Sequence, residues 1–309
     1  MDLLEISKNN TKRNAPLYIK VLSLFSVVRG YNILLIVIAQ YLASIFIFSP
    51  EKSLRYVLLD LDLYFIVLAT ICVIASGYII NNFYDSETDK INRPIKSKID
   101  AIVSQKIKLR IYFLLNFLGF CIAFLVSWRA ALFFSVYIFL IWFYSHKLKK
   151  YPLAGLFSAA VLSILPFFAV FVHFKNFSEI IFTHAAFLFF ILLIRELIKD
   201  LEGIKGDFIF NYQTIPVKYG EKFTKILITA LGLLTLNPIY FLLKYPEIGG
   251  MKYYFYSSAV VLFGFVIATW FSNSKRSYQI LHIVLKLLII AGVASLALID
   301  YSVLIEKLV

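Results

Sequence analysis

The stretch LYFIVLATICVIASGYIINNFYDSETD, Leu63–Asp89, carries both the fold and a candidate site. From Leu63 to Ile80 it has no charged residue, close to the ~20 apolar residues an α-helix needs to cross a bilayer. The run then ends on Asn81-Asn82-Phe83-Tyr84-Asp85-Ser86-Glu87-Thr88-Asp89. Carboxylates beside a membrane-length segment are costly, and such residues generally mark function. Asn81, Asp85 and Asp89 recur every four residues. On a helix they form one oxygen-rich stripe, rising about 6 Å per step.

A second segment repeats this pattern. Another apolar run leads into Arg195-Glu196-Leu197-Ile198-Lys199-Asp200-Leu201-Glu202-Gly203-Ile204-Lys205-Gly206-Asp207, where Glu196 and Asp200 have the same spacing. Carboxylate and amide oxygens are hard ligands, suited to Mg²⁺ that is shared with substrate phosphates. Two such stripes facing each other would make a metal-bridged diphosphate site. Of the 18 acidic residues, seven lie in these two clusters, which a scatter of solubilising loop acids does not explain.

The rest of the chain fits a membrane setting. Its 309 residues are 61% hydrophobic and only 16% charged, with a mean hydropathy of +0.83. Soluble domains carry about a quarter charged residues. The apolar runs are far longer than the ~10-residue alternating strands of a membrane barrel. The fold class is therefore all-α, a polytopic membrane protein. About nine helices are expected, near 22–48, 57–83, 108–128, 130–146, 153–173, 179–199, 223–244, 253–272 and 279–304. Residues 1–16 read as a polar cytosolic tail before an uncleaved first helix, and 17–309 as a single transmembrane domain. Cys72 and Cys121 lie within spans, in no ligand-like spacing.

Orientation follows from the positive charges. With the N-terminus inside, 21 Lys and Arg fall on the inner side and 7 on the outer. The N-terminus and the loops after helices 2, 4 and 6 are expected in the cytosol, so both acid clusters lie on that side. The net charge of +13 concentrates there, where anionic lipids and substrates are found. The basic residues are spread over short loops, which argues against nucleic-acid binding.

Basic and aromatic companions surround the acids. Arg93 follows the first cluster, and Pro94 should end the helix there. A fixed guanidinium near two metal sites can contact phosphate oxygens bidentately. Tyr144 and Lys149 offer a phenol and an ammonium at the same interface. Lys199 sits inside the second cluster. Gly203 and Gly206 are expected to break the sixth helix and let Asp207 turn back toward the site. In the first span Arg29 is explained by snorkelling, whereas Asn32, one turn deeper, needs a partner. Lys286 is an ammonium within the last span, with His282 one turn before it. His173, His184 and His282 form no metal-ligand pair.

Asn81-x₃-Asp85-x₃-Asp89 with Asn92-Arg93-Pro94, and Lys199-Asp200-x₆-Asp207 with Gly206, resemble the two Asp-rich motifs of the UbiA-type intramembrane prenyltransferases. Arg29-x₂-Asn32 and Tyr144-Ser145-x₃-Lys149 fit as well, and the resemblance covers nearly the whole chain. It implies a helical bundle around a cavity that opens to the cytosol and to lipid. It also implies Mg²⁺-dependent transfer of a prenyl group from a prenyl diphosphate to a lipophilic acceptor, with no obligate protein partner. By resemblance Asn81, Asp85, Asp89, Asp200 and Asp207 hold metal, and Arg93 and Lys149 bind diphosphate oxygens. The second segment is similar to the digeranylgeranylglyceryl phosphate synthase branch, whose acceptor is a glycerol-phosphate ether lipid. Gly203 departs from an Asp common there, leaving Glu196 or Glu202 to complete the second metal. Asn82 and Thr88 also depart, from an Asp and an aliphatic residue. An aromatic acceptor is the alternative within the family. A secondary transporter is the alternative outside it, disfavoured because no inverted repeat is evident and the acids lie away from midplane.

Overall fold

A computed structural model of the protein describes residues 16–300. The expected tail, Pro16 excepted, and the end of the last expected helix lie outside these residues. Among the described residues every regular element is helical, and nine helices are long and apolar enough to cross a membrane.

Helix α1 (Leu17–Val27) precedes the first span, α2 (Gly30–Ala43), which runs on through a π-helical turn to Phe48. A short helix α3 (Leu54–Leu58) leads to the second span, α4 (Leu61–Tyr84). Two short helices, α5 (Ser86–Asn92) and α6 (Pro94–Asp100), cross the end of the bundle. Then come α7 (Gln105–Val126), α8 (Trp128–His146), α9 (Pro152–Phe174) and α10 (Glu179–Ile209). The last spans are α11 (Ile215–Leu242), α12 (Lys252–Phe271) and α13 (Lys275–Ser295).

Local chemistry sets the starts. Asp60 accepts from the Leu63 amide, Ser104 from Ile107 and Ser127 from Ala130, each satisfying an orphan N–H of a helix end. Pro152 and Pro216 stand at first-turn positions, where no amide is missed. Pro166, inside α9, has no amide to donate to the Leu162 carbonyl. The Tyr137 hydroxyl donates to that carbonyl instead, at 2.9 Å.

Two expectations need correction. The first apolar run is not one helix from 22: the backbone turns at Arg29, which is left-handed (φ 51°), so α1 and α2 meet at an angle. The joint is tight, since a Cβ on Gly30 would lie 2.0 Å from the Phe25 ring. Nor do Gly203 and Gly206 break the sixth span, because α10 is continuous over 31 residues. Their lack of a side chain makes room instead. A Cβ on Gly206 would lie 2.5 Å from Asn92 Nδ2, and one on Gly203 at 3.1 Å. The Gly206 amide donates to Asn92 Oδ1 at 3.1 Å, so α5 rests directly on α10.

The most deeply packed span is α4, and its core partners include Phe134, Phe171 and Phe255 from α8, α9 and α12. Residues such as Phe117, Val260 and Phe271 face outward, as a bilayer requires. Between the helices lies a cavity of about 510 Å³, within the usual range for ligand pockets. Its polar end meets the acid clusters. Its apolar part reaches Phe48, Phe167, Met251, Phe255 and Leu296.

Candidate active site

Both acid clusters line that one cavity. The first rides on the end of α4. Its backbone kinks at Asp85 (φ −89°, ψ 3°), yet Asp85 and Asp89 keep their helical hydrogen bonds to Asn81 and Asp85. The stripe therefore survives the kink. The helix stops at Asn92, and Arg93 takes an extended φ (−140°) before Pro94 opens α6. From α10 come Asp200 and Asp207, two helical turns apart, and Asp207 lies within electrostatic reach of Asp85.

The oxygens here differ in how they are satisfied. Asn81 Oδ1 is buried and has no hydrogen-bond partner. Asp85 is paired with Lys149, which is itself buried, in a short contact. The Asp89 carboxyl is raised above its ordinary range by burial and then by Asp85, an incomplete charge balance that a cation would relieve. Asp207 accepts from the Thr214 hydroxyl at 3.4 Å. Glu196 is different. It is buried between Arg195, at 3.0 Å, and Lys199, in a shorter contact, so both its oxygens are occupied. Glu196, expected as a ligand, is thus paired with two cations of the protein, as Asp85 is with one. Glu202 accepts from His282, 2.9 Å away, and does not stand free either.

Among the described residues, no three His, Cys, Asp or Glu side chains converge closely enough to cage an ion unaided. The donor set nonetheless suits Mg²⁺, which favours one or two carboxylates completed by substrate phosphates over an all-protein cage. Asn81, Asp85, Asp89, Asp200 and Asp207 are the residues that could hold it.

The remaining expected residues also meet here. Arg29, Asn32, Arg93, Tyr144, Lys149, Lys199 and Lys286 all line the cavity. Asn32 finds its partner in Tyr78, donating to the hydroxyl at 3.3 Å, and the Arg29 guanidinium lies 5.0 Å from the same ring. Arg29 is thus held against the cavity wall rather than snorkelling away from it. Residues that the motifs did not single out join them. Arg195 lines the cavity, as do Tyr78 and Tyr137. Tyr212, in the α10–α11 connection, lies over the Lys149 side of the site. Burial, then Asp85, pushes its phenol up to about 12, so it is a donor across ordinary pH. No spacing signal marks Tyr212, because a loop has no periodicity.

A membrane bundle that holds two facing sets of acids and a ring of cations at one end of an apolar cavity has the layout of an enzyme for lipid diphosphates. The model of the UbiA prenyltransferase family matches residues 37–290, and the chain belongs to that family: it is a multi-pass membrane prenyltransferase. It is 30% identical over 212 residues to the digeranylgeranylglyceryl phosphate synthase of Pyrococcus horikoshii, covering 68% of this chain and 73% of that protein. Among solved structures it resembles a UbiA homologue from Aeropyrum pernix, with a TM-score of 0.66 and 16% identity, over 89% of this chain and 98% of that one. It also resembles a UbiA homologue from Archaeoglobus fulgidus bound to GPP and Mg²⁺, with a TM-score of 0.61 and 14% identity, over 89% and 99%. At those identities the structural likeness speaks for the fold.

Proposed function

We propose that the enzyme transfers a prenyl group, geranylgeranyl in length, from a prenyl diphosphate to the hydroxyl of a geranylgeranylglyceryl phosphate-type lipid, with Mg²⁺. The observation that carries the acceptor is a local cluster of cations in the cavity, whose lining as a whole sets six cations against six acids. Lys286 lies within electrostatic reach of Arg195, Arg29 and Arg93, with Glu202 the acid of that neighbourhood and already taken by His282. Arg195 shares one acid, Glu196, with Lys199. A diphosphate and a phosphate monoester together would balance this group, whereas a phenolic acceptor brings only one of the two anions. The names of the archaeal relatives support the same acceptor.

The chain's own groups suit each task. Arg93 and Lys149 bind phosphoryl oxygens, Lys149 exchanging Asp85 for the arriving anion. Asn81, Asp85, Asp89, Asp200 and Asp207 hold Mg²⁺, which when bound supplies charge neutralisation for the departing diphosphate. Tyr78, Tyr137 and Tyr144 present ring faces to positive charge developing on the prenyl carbon. The apolar walls toward Phe167 and Phe255 take the prenyl tail and keep water away.

The test supplies purified protein with labelled geranylgeranyl diphosphate, Mg²⁺ and either a glycerophosphate ether lipid or a phenolic acceptor, and reads products by mass spectrometry. Labelled ether lipid formed only with Mg²⁺ is the expected result. Product from the phenol alone would move the enzyme to the aromatic branch, and rates unchanged by EDTA would end the metal-diphosphate reading.

The charge asymmetry supports placing the acid-bearing end in the cytosol. With Cys72 and Cys121 replaced, Lys98→Cys should react with impermeant thiol reagents only from the cytosolic side, and Lys175→Cys only from the opposite side. Reversed labelling would turn the site around.

A further inference from the structure

The connection between α10 and α11, residues 210–214, is fastened at three points. The Tyr212 amide donates to the Asp207 carbonyl at 2.8 Å, the Gln213 amide to the Lys150 carbonyl at 2.9 Å, and Thr214 to the Asp207 carboxylate. Asn211 adopts a left-handed φ of 57°, which Asn accepts more readily than most residues, and this turns the chain back over the bundle end. Tyr212 is left only 9% exposed although it lies in a loop.

Its side chain joins parts of the site that come from distant sequence. The hydroxyl donates to Asp85 Oδ1 at 3.5 Å and is within hydrogen-bond reach of Thr88. The ring centre lies 5.8 Å from the Lys149 ammonium and 5.6 Å from that of Lys150. One phenol thus touches both members of the Asp85–Lys149 pair. It does so where the cavity's polar end meets the outside of the bundle.

We propose that Tyr212 is a positioning residue that seals this end of the cavity, its ring orienting Lys149 and its hydroxyl orienting Asp85 while the prenyl group leaves. This rests on the prenyl diphosphate reading given above. The need is chemical. When the bond from C1 of the prenyl chain to the diphosphate oxygen breaks, C1 takes whichever oxygen is nearest. Bonding to the acceptor oxygen gives the ether, with diphosphate and the acceptor's hydroxyl proton released. Bonding to water gives the prenyl alcohol, with free diphosphate and a proton released to solvent. A bulky, anchored aromatic over the acids biases that choice by excluding water.

The experiment compares wild type, Tyr212→Phe and Tyr212→Ala with labelled geranylgeranyl diphosphate, Mg²⁺ and the ether-lipid acceptor, counting ether and prenyl alcohol separately. Tyr219→Ala, at an exposed position on α11, is the control. Tyr212→Ala should lower ether formation about tenfold and raise the alcohol-to-ether ratio severalfold. Tyr212→Phe keeps the ring, so its ratio should stay near wild type while KM for the diphosphate rises. Tyr212→Leu, which fills the space without ring or hydroxyl, is read on the same ratio if the alanine variant does not purify folded. A wild-type ratio and KM in the alanine or leucine variant would overturn the proposal. Wild type that makes neither ether nor alcohol would instead end the prenyl diphosphate reading.

Discussion

Asn81 and Asn82 are neighbours in sequence and have opposite fates. Asn82 is buried outside the cavity, and its amide is fully used. Its Oδ1 accepts from Lys108 at 2.8 Å, and its Nδ2 donates to Asp100 at 2.9 Å. Asp100 also accepts from Ser26 at 2.8 Å and Lys96 at 2.5 Å, which ties α1, α4, α6 and α7 into one knot. Asn81 lines the cavity, and its buried Oδ1 has no partner. The same side chain, turned about 100° around a helix, serves structure in one case and stands ready for a ligand in the other. A satisfied buried polar group rigidifies a fold, whereas an unsatisfied one costs free energy and calls for another explanation. The knot also suits the departure at position 82. An Asp there would set a second carboxylate against Asp100, where the amide can donate.

The largest effect should separate the two kinds of buried acid. Asp85→Ala, Asp89→Ala and Asp200→Ala should each lower prenyl transfer by on the order of 10²–10³-fold or more; thermal melting in detergent should change little for Asp89→Ala and Asp200→Ala, whereas Asp85→Ala also strands the buried Lys149. Asp100→Ala should do the reverse. It removes the acid beside the buried Lys108 and the partner of the half-buried Lys96, so it should lose about 3 kcal/mol of stability, while the folded fraction keeps most of its specific activity. Melting curves measured beside initial rates decide. An Asp100 variant with wild-type melting and no activity would erase the distinction drawn between the two faces of α4.

That distinction was only half legible in the sequence. A bilayer imposes a length on each apolar run, so the spans could be read to within a few residues apart from the first, sixth, seventh and ninth. The i,i+4 acid stripe was legible because a helix turns spacing into direction. The joint at Arg29 was not, since its left-handed backbone and the packing of Phe25 over Gly30 have no periodicity to announce them. Gly203 and Gly206 misled for a related reason. Glycine signals either freedom of the backbone or close approach of another group, and only the position of Asn92 tells which applies. Asn82 stood out in the sequence only as a departure from an Asp, and its reason lies in Lys108 and Asp100, 26 and 18 residues away, which hold it. Glu196 shows the same limit, for its spacing is that of a ligand while its pairing with Arg195 and Lys199 is visible only in three dimensions.

A smaller effect would sharpen the comparison within the cavity, between cations that hold acids of the protein and cations left for substrate. Lys149 and Lys199 each have a carboxylate partner, Asp85 and Glu196. Arg29 instead lies on the Tyr78 ring, and Lys286 lies within electrostatic reach of Arg195, Arg29 and Arg93. A phosphate on the acceptor would be held by this second pair, and a charge-assisted hydrogen bond is worth about twice a neutral one. Arg29→Gln or Lys286→Met should therefore raise the acceptor KM about tenfold, equivalent to roughly 1.4 kcal/mol, and change the KM for prenyl diphosphate less. If acceptor and diphosphate KM rise together, these cations serve the shared anionic mouth and not the acceptor. If neither moves, this pair of cations has a purpose other than binding a second phosphate, and the case for a phenolic acceptor strengthens accordingly.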